Sequence, residues 1–410
     1  MKIAHLSDTH LGYAAKCRTN AAGVNERLVD GLRGFQRSVT DIIAEEPDLV
    51  IHGGDLFHRS QPGVGEIAFA RKQLDRFATA GIPVIGVTGN HDFATDRGKS
   101  NATAAVDDPQ RGITMVTGSS DVIRPADGVN VHVVSHAGLI GVDRPEPTPV
   151  DGDINIFATH GAAQVPGTDI FTCVDSPGEA VVSYDMLSLP WSVTLLGHYH
   201  KRGPLPGFHQ GDGQAWYAGS LLRRGFSDPP GGRGWLMVTA NPDGSVTVEE
   251  RNIAQRPQHD LDVIDADGLT GQDVEERIRA NIAAIDFTGG PILRQRVINC
   301  PVAVRRGINT AAMKDLTKDA LVWQLEFFRP PLPELVFNDA SGGSLATAAG
   351  ADLPASWNSW FPDYADSQGI PAGEREPVAH AGAALLHDVS HAVETIDENT
   401  PPATDDGGPA

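Results

Sequence analysis

Five short segments carry Asp, Asn or His, four of them together with Gly, and each follows a run of apolar residues. They are Asp8-Thr9-His10, Gly54-Asp55, Gly89-Asn90-His91-Asp92, His160-Gly161 and Gly197-His198-Tyr199-His200. The runs before them read KIAHLS, LVIHG, PVIGVT, NIFAT and VTLL. Short apolar runs of this kind predict buried strands. In a layered α/β fold, side chains just past the strand ends meet on one rim, where sites form. Asp8 with His10, and His198 with His200, stand two residues apart, a spacing that points both side chains to one side of an extended backbone.

Carboxylate, imidazole and amide oxygen without thiolate suit Mn²⁺, Mg²⁺, Fe or Zn²⁺. One carboxylate can bridge two ions, and such a pair binds a phosphodiester and stabilises charge on its oxygens. Cys17, Cys173 and Cys300 lie far apart with no CxxC pair, so a structural zinc site is not expected. A reducing, cytoplasmic setting is expected, the host cytoplasm if the chain is phage-encoded. No apolar leader opens the chain and no membrane-length apolar run occurs, so neither a secretory signal nor a membrane partner is expected.

The first hundred residues alternate in βα style, with strands at Lys2–Ser7, Asp48–His52 and Ile82–Thr88 and helices at Asn25–Glu45 and Glu66–Ala80. Shorter strands follow, among them Val129–Val134, Ile154–Ala158, Val193–Leu196 and Gly234–Thr239. The expected fold class is α/β, a two-sheet β-sandwich flanked by helices, with a small α/β second domain. Domain one is 1–254. Domain two, 255–332, is βαβαβ-like, with strands at Leu261–Ile264, Ile292–Asn299 and Leu321–Phe328 and helices after Thr270 and over Thr310–Asp319. Residues 333–410 form an acidic tail with one helix over 377–396, Pro377 at its first position and Val378, Ala381, Leu385, Val389, Ala392 and Ile396 as an apolar stripe.

The formal charge of −21 speaks against nucleic-acid binding, since phosphate contacts need Lys and Arg. From Pro331 onward, however, thirteen acidic residues face one basic residue, Arg375, so −12 of the charge belongs to the tail.

The ordered set DxH, GD, GNHD, His-Gly and GHxH resembles the calcineurin-like metallophosphoesterase superfamily. HLSDTHLGY (His5 to Tyr13) and GGDLFHRS (Gly53 to Ser60) are similar to its SbcD/meiotic-recombination-eleven branch of DNA repair nucleases. The later Tyr217-Ala218-Gly219-Ser220 with Arg223-Arg224 also resembles that branch. The resemblance implies two Mn²⁺ ions, with Asp8, His10 and His200 holding one, Asn90, His160 and His198 the other, and Asp55 bridging. It implies catalytic roles for His91, which protonates the leaving oxygen, for Asp92, which holds His91 by a hydrogen bond, and for His58, which contacts phosphate. Implied partners are DNA, an SMC-like ATPase of SbcC type bound by the tail helix, and a second copy in a homodimer. Domain two would be the DNA-binding capping domain.

Arg59, Lys201, Arg202, Arg223 and Arg224, with Lys16, Arg18 and Arg233, are candidates for tracking a DNA backbone. No segment interleaves aromatic and basic residues in the manner of a single-strand stacking platform. His5 and His52 fall inside strands and read as core residues or supports of the ligands. His132, His136 and His209 have no assigned partner, and His387 with His391 reads as a solvated helix face. Two other readings stay open: a small-molecule phosphodiesterase of the same superfamily, and a non-catalytic scaffold that binds DNA ends.

Overall fold

The apolar runs ahead of the motifs do form strands, and their carboxyl ends share one rim. This computed structural model describes residues 1–94, 99–166, 180–208, 214–241, 243–330 and 353–394. The chain divides into two compact units, Met1–Pro257 and Gln258–Ala410.

The first half of unit one runs β1 (Lys2–Leu6), α1 (Glu26–Ala44), β2 (Leu49–His52), α2 (Val64–Thr79), β3 (Val84–Val87), β4 (Ile113–Val116), β5 (Ser120–Ala126), β6 (Val129–Val134) and α3 (His136–Ile140). The second half runs β7 (Ile154–His160), β8 (Ala162–Ala163), β9 (Val181–Val182), α4 (Tyr184–Leu187), β10 (Val193–Gly197), β11 (Gly203–Pro204), β12 (Gln214–Tyr217), β13 (Gly234–Ala240) and β14 (Val246–Asn252). Two six-stranded sheets result, ordered β14-β13-β1-β2-β3-β4 and β11-β12-β10-β7-β6-β5. Strands β1 to β4 are parallel, as are β6, β7, β10 and β12.

Alternation along the strands separates three apolar layers. Ile3, Ile51 and Ile85 face Val131, Ile156 and Leu195 between the sheets. Ala4, Leu6 and Val50 turn outward to α1 and α2, where Phe35, Val39, Ile42, Leu74 and Phe77 cover them. Each such burial contributes about 1.5–3 kcal/mol. Phe157, Trp191, Leu196 and Tyr217 fill the third layer on the far side of the second sheet. Asn25 caps α1, its side chain accepting from the backbone N–H groups of Arg27 and Leu28, which fixes where the helix begins.

Unit two contains β15 (Gln258–Asp260), β16 (Ile264–Asp265), α5 (Gly271–Ile282), β17 (Ile292–Ile298), α6 (Val302–Arg306), α7 (Thr310–Leu316), β18 (Val322–Phe327), α8 (Leu353–Ser367) and α9 (Ala372–Glu394). Thr270 caps α5 in a capping box with Asp273, and Val274, Ile278 and Ile282 form the buried face of that helix. The expected strand Leu261–Ile264 is instead two short strands. Asp260 pairs with Arg294 and Ile264 with Val297, so one extra residue is accommodated between them and the ladder breaks there.

The tail differs from expectation in three ways. An additional helix, α8, carries Trp357, Trp360, Phe361 and Tyr364, whose rings contact one another in series. Their spacing of three, one and three is helical, but the stripe is aromatic rather than aliphatic. Second, α9 begins at Ala372, so Pro377 lies inside it rather than at its first position. Pro371, just before the helix, stands where a missing N–H costs nothing. Third, the stripe points outward: Val378 is 42% and Leu385 64% exposed. The adjoining face packs on α8, where a Cβ on Gly382 would lie 2.3 Å from the Trp357 ring. Ile396 lies outside the described residues, as do the side chains of Val389, Ala392 and His391.

Candidate metal centre

Asp8 and His10 follow β1, Asp55 follows β2 and Asn90 follows β3, while His160 ends β7 and His198 and His200 follow β10. The backbone is bent hard to present them. Asp8, His10, Asp55 and His198 are four of the six non-glycine residues with positive φ among those described. Such conformations cost of order 1–3 kcal/mol each and cluster where function requires them. Two glycines permit the close approach of the motif loops. A Cβ on Gly89 would lie 2.3 Å from Asp55 Oδ1, and one on Gly197 only 2.0 Å from the carbonyl oxygen of Gly53.

The donor atoms converge. Asp55 Oδ2 lies 3.6 Å from His10 Nε2 and 3.4 Å from His160 Nε2. Asp8 Oδ1 lies 3.9 Å from His10 Nε2 and 3.8 Å from His200 Nε2, and the two imidazole nitrogens are 3.2 Å apart. Asn90 Oδ1 lies 3.0 Å from His160 Nε2 and 3.3 Å from His198 Nδ1. These atoms fall into Asp8–His10–His200 and Asp8–Asp55–His160 clusters, each compact enough for one ion.

Hydrogen bonds aim the ligands. The other oxygen of Asp8 accepts from Ser7 Oγ at 2.6 Å and from the N–H of His198 at 3.1 Å. Asp55 Oδ1 accepts from the N–H of His91 at 2.9 Å. His160 Nδ1 donates to the Gly53 carbonyl at 2.7 Å, which leaves Nε2 as the lone-pair nitrogen. His200 Nδ1 donates to Asp228 Oδ1 at 2.8 Å, to the same effect. Asp8 Oδ1 and His10 Nδ1 are buried and have no hydrogen-bond partner. A buried carboxylate oxygen left this way is costly, and a cation is the species that relieves it. The donor set and this orphaned oxygen fit a pair of divalent ions.

Protonation in the absence of metal follows the same logic. Burial acts against charge on His160, yet Asp55 beside it outweighs burial and raises its pKa to about 9. Burial likewise acts to raise Asp55, but the charge of His160 and then His10 hold it well below the carboxylate range. His10 is driven well below the imidazole range, chiefly by burial. A proton on His160 therefore occupies the place a metal ion would take.

His91, His58 and His10 stand together at the edge of the cluster. The His91 ring meets His10 edge-on at 4.7 Å and stacks on His58 at 5.3 Å. Burial, reinforced by His91 and Arg224, lowers His58 to about 4. Asp92 does not hold His91. Its carboxylate accepts from the N–H groups of Leu56, Phe57 and Gly89 at 2.8–3.2 Å, and His91 Nδ1 donates to the carbonyl of His58 at 2.8 Å instead. Asp92 is fully buried and ties the Asp55 loop to the Asn90 loop; orienting His91 falls to the backbone of the Asp55 loop.

The basic candidates separate. Arg59 and Lys201 are exposed at the rim. Arg202 is committed to Glu250, Asn252 and the Arg251 carbonyl, with its side chain 3% exposed. Arg233 is buried and donates to the Pro229 and Gly232 carbonyls. Arg223 bonds the Asp228 carbonyl and covers the Phe226 ring. Arg224 places Nη2 3.0–3.1 Å from both nitrogens of His200, lying over that ring. Of the group, Arg202 and Arg233 are structural, because their terminal nitrogens are bonded inside the fold.

Asp228 is the ligand support that sequence reading missed. It sits 28 residues from His200 in an irregular loop without a motif. His52 Nδ1 accepts from Gly54 N–H at 3.3 Å, so Nε2 donates to Thr9 Oγ1 at 2.8 Å, joining the Asp8 and Asp55 loops. His5 spans the sheets from β1 to the Leu196 carbonyl at 3.1 Å. His132 is in the core beside Trp191 and Asn155. His136 packs on Phe93, and burial together with nearby His160 lowers it to about 4. His209 lies outside the described residues, and His387 is on an exposed helix face.

A sequence profile of calcineurin-like phosphoesterases matches residues 1–215. The DNA double-strand break repair protein Mre11 of Haloferax volcanii is 27% identical over 306 residues, 71% of this chain and 60% of that protein. The protein of the same name from Methanosarcina mazei is 33% identical over 265 residues, 62% of this chain and 39% of that protein. The chain thus spans three-fifths or less of the length of these curated relatives. No described helix is long and apolar enough to cross a membrane.

Proposed function

Because this chain belongs to the calcineurin-like phosphoesterase family, we propose that it is a Mn²⁺-dependent DNA exonuclease and endonuclease that hydrolyses phosphodiester bonds at DNA ends. One observation carries the two-metal part: a single oxygen, Asp55 Oδ2, stands between His10 and His160, 3.6 and 3.4 Å from their nitrogens. A bridging carboxylate needs that placement. The names of the archaeal relatives support DNA as substrate.

Asp8, His10 and His200 would hold one ion, Asn90, His160 and His198 the other, and Asp55 both. The bound pair supplies charge neutralisation on the phosphoryl oxygens and an activated water. His91 keeps Nδ1 bonded to the His58 carbonyl, so Nε2 is the atom that delivers a proton to the departing sugar oxygen. His58, stacked on His91, holds the phosphate from the same side. Arg59 and Lys201 at the rim, with Arg224 over His200, are the cations positioned to meet the strand.

We place the partners in unit two. Residues 255–332 act as the DNA-binding capping domain. The exposed stripe Val378–Ala381–Leu385 of α9 docks on an SbcC-type ATPase, and a homodimer is the working assembly.

The test sets degradation of linear duplex DNA against hydrolysis of bis-p-nitrophenyl phosphate, each with and without Mn²⁺. Metal-dependent turnover of both is expected. Turnover of the small ester only would reassign the substrate to small phosphodiesters. Turnover of neither, with both metals bound, would leave a DNA-end-binding scaffold.

A further inference from the structure

Charge in unit two is segregated along the chain. Residues 258–290 hold eight acidic and two basic residues, whereas 291–330 hold three acidic and seven basic. In a chain of −21 overall, that second stretch is a local reversal of sign. Folding gathers much of it at one place. A groove of about 930 Å³ runs between α7 and the core-facing side of β18, lined among others by Arg305, Lys314, Lys318, Trp323, Leu325 and Phe327. A second cavity of about 440 Å³ shares Arg305 and Phe327 with it and adds Arg306 and Arg329. Among the described residues, Asp315 is the one acidic residue lining either.

The apolar floor has regular geometry. Trp323, Leu325 and Phe327 alternate on one face of β18 and pair with Leu293, Gln295 and Val297 of β17. All three are only partly buried. Trp323 and Phe327 are four residues apart, so their rings stand about 13 Å apart along the strand and do not cover each other. The Arg305 guanidinium lies 5.1 Å over the Phe327 ring, which holds that cation in the groove. The sequence shows no aromatic–basic interleaving because the cations come from α6, α7 and the end of β18, while the rings come from one strand.

We propose that this groove binds a single unpaired nucleic-acid strand, with bases stacked on Trp323 and on the Arg305–Phe327 pair and phosphates on Lys314, Lys318, Arg306 and Arg329. Rings set in a cationic groove are what sequence-tolerant single-strand recognition requires. An acidic protein segment would use the cations but gain nothing from planar stacking faces. Nucleic acid as the occupant rests on the DNA-processing function proposed above; strand binding here requires neither metal nor cleavage.

The experiment titrates the full chain, in EDTA, against fluorescein-labelled oligothymidylate by anisotropy. Trp323→Ala should weaken binding about tenfold, since stacking on one aromatic residue is worth about 1–3 kcal/mol per base. Trp323→Phe should restore most of it. Lys314→Ala and Lys318→Ala should each reduce the salt slope by about 0.7. Melting temperature and bound Mn²⁺ verify that each variant is folded. Wild-type affinity in both Trp323→Ala and the double lysine variant overturns the proposal, as does absence of oligothymidylate binding by the wild type. Equal displacement of the oligonucleotide by polyglutamate, insensitive to Trp323→Ala, also overturns it in favour of an acidic protein ligand. Intact duplex cleavage with unaltered strand binding sinks the groove and leaves the nuclease standing. Strand binding that depends on Trp323, in a chain that cuts no DNA, does the reverse.

Discussion

The two sheets of unit one bring unlike chemistry to the same rim. Loops after β1, β2 and β3 of the first sheet supply the hard oxygens, Asp8, Asp55 and Asn90, with His10 as their one imidazole. The second sheet supplies imidazoles throughout: His160, His198 and His200. The first half is anionic and strained, with three positive-φ residues in Asp8, His10 and Asp55. In the second half, hydrogen bonds donated to the Gly53 carbonyl and to Asp228 Oδ1 fix the tautomers of His160 and His200. Neither half is a binding site by itself. Ions held as proposed above would draw on the carboxylates of one sheet and the nitrogens of the other, so metal binding would add a tie to the apolar packing between the sheets.

Asp55 comes from the first half but lies against a nitrogen of each, His10 and His160, so its loss should be the most severe. Asp55→Ala is expected to empty both metal positions, with no measurable turnover of bis-p-nitrophenyl phosphate. Retention of even one tightly held Mn²⁺ by elemental analysis would break the picture of a shared bridge. His91 stands beside the first half's proposed ligands without being one of them. His91→Asn should keep both metals while DNA cleavage falls by roughly 10²–10⁴-fold, the range for a lost general acid. Full activity with metals bound would remove His91 from the mechanism.

A subtler change touches the second sheet alone. Asp228→Asn should weaken one Mn²⁺ site by about 10–100-fold, the usual effect of removing a carboxylate behind a ligating histidine, and leave the other site as it was. Calorimetric titration that shows equal loss at both sites would mean the halves are not separable. Mn²⁺ at a hundred times its dissociation constant should add about 2.7 kcal/mol of stability per occupied site over the EDTA-treated protein. Chemical denaturation measures this, and no difference would mean that the folded site does not hold Mn²⁺ in preference to the unfolded chain.

The smallest effect concerns the strut beneath the site. Burial lowers His5 to about 4, against about 6.5 in an unfolded chain. Above pH 6.5 neither state binds a proton there. As pH falls from 6.5 to 4 the unfolded chain takes one up and the folded chain does not, so stability declines. Below 4 the loss is complete. In EDTA, wild type should therefore lose about 1.4 kcal/mol per pH unit more than His5→Gln across that window. Parallel urea-midpoint profiles for the two proteins would contradict it.

Much of this was legible because each proposed ligand sits within four residues of a strand end, where a short apolar run, in four of the five segments with a glycine, announces the position. The two-sheet architecture was legible for the same reason. What escaped depends on approach between remote segments. Asp228 stands in an irregular loop, and only the fold brings it to His200. Asp92 lies next to His91 in sequence, yet three backbone N–H groups claim its carboxylate. Arg202 reads as a surface cation until Glu250 and Asn252 are folded against it. Helix α8 hid behind an aromatic stripe and an internal Pro362.

The notch at Gly382 bears on how this tail can drift. By helix propensity the residue is a weakness, and replacement by Ala should be welcome. Against the Trp357 ring it has no room for even one methyl group, and the Trp357 indole is anchored by its N–H to the Ala379 carbonyl at 2.8 Å. Positions 357 and 382 are therefore bound to mutate as a couple: among descendants of this sequence, a larger residue at 382 should be found only where the tryptophan has already given way to something smaller.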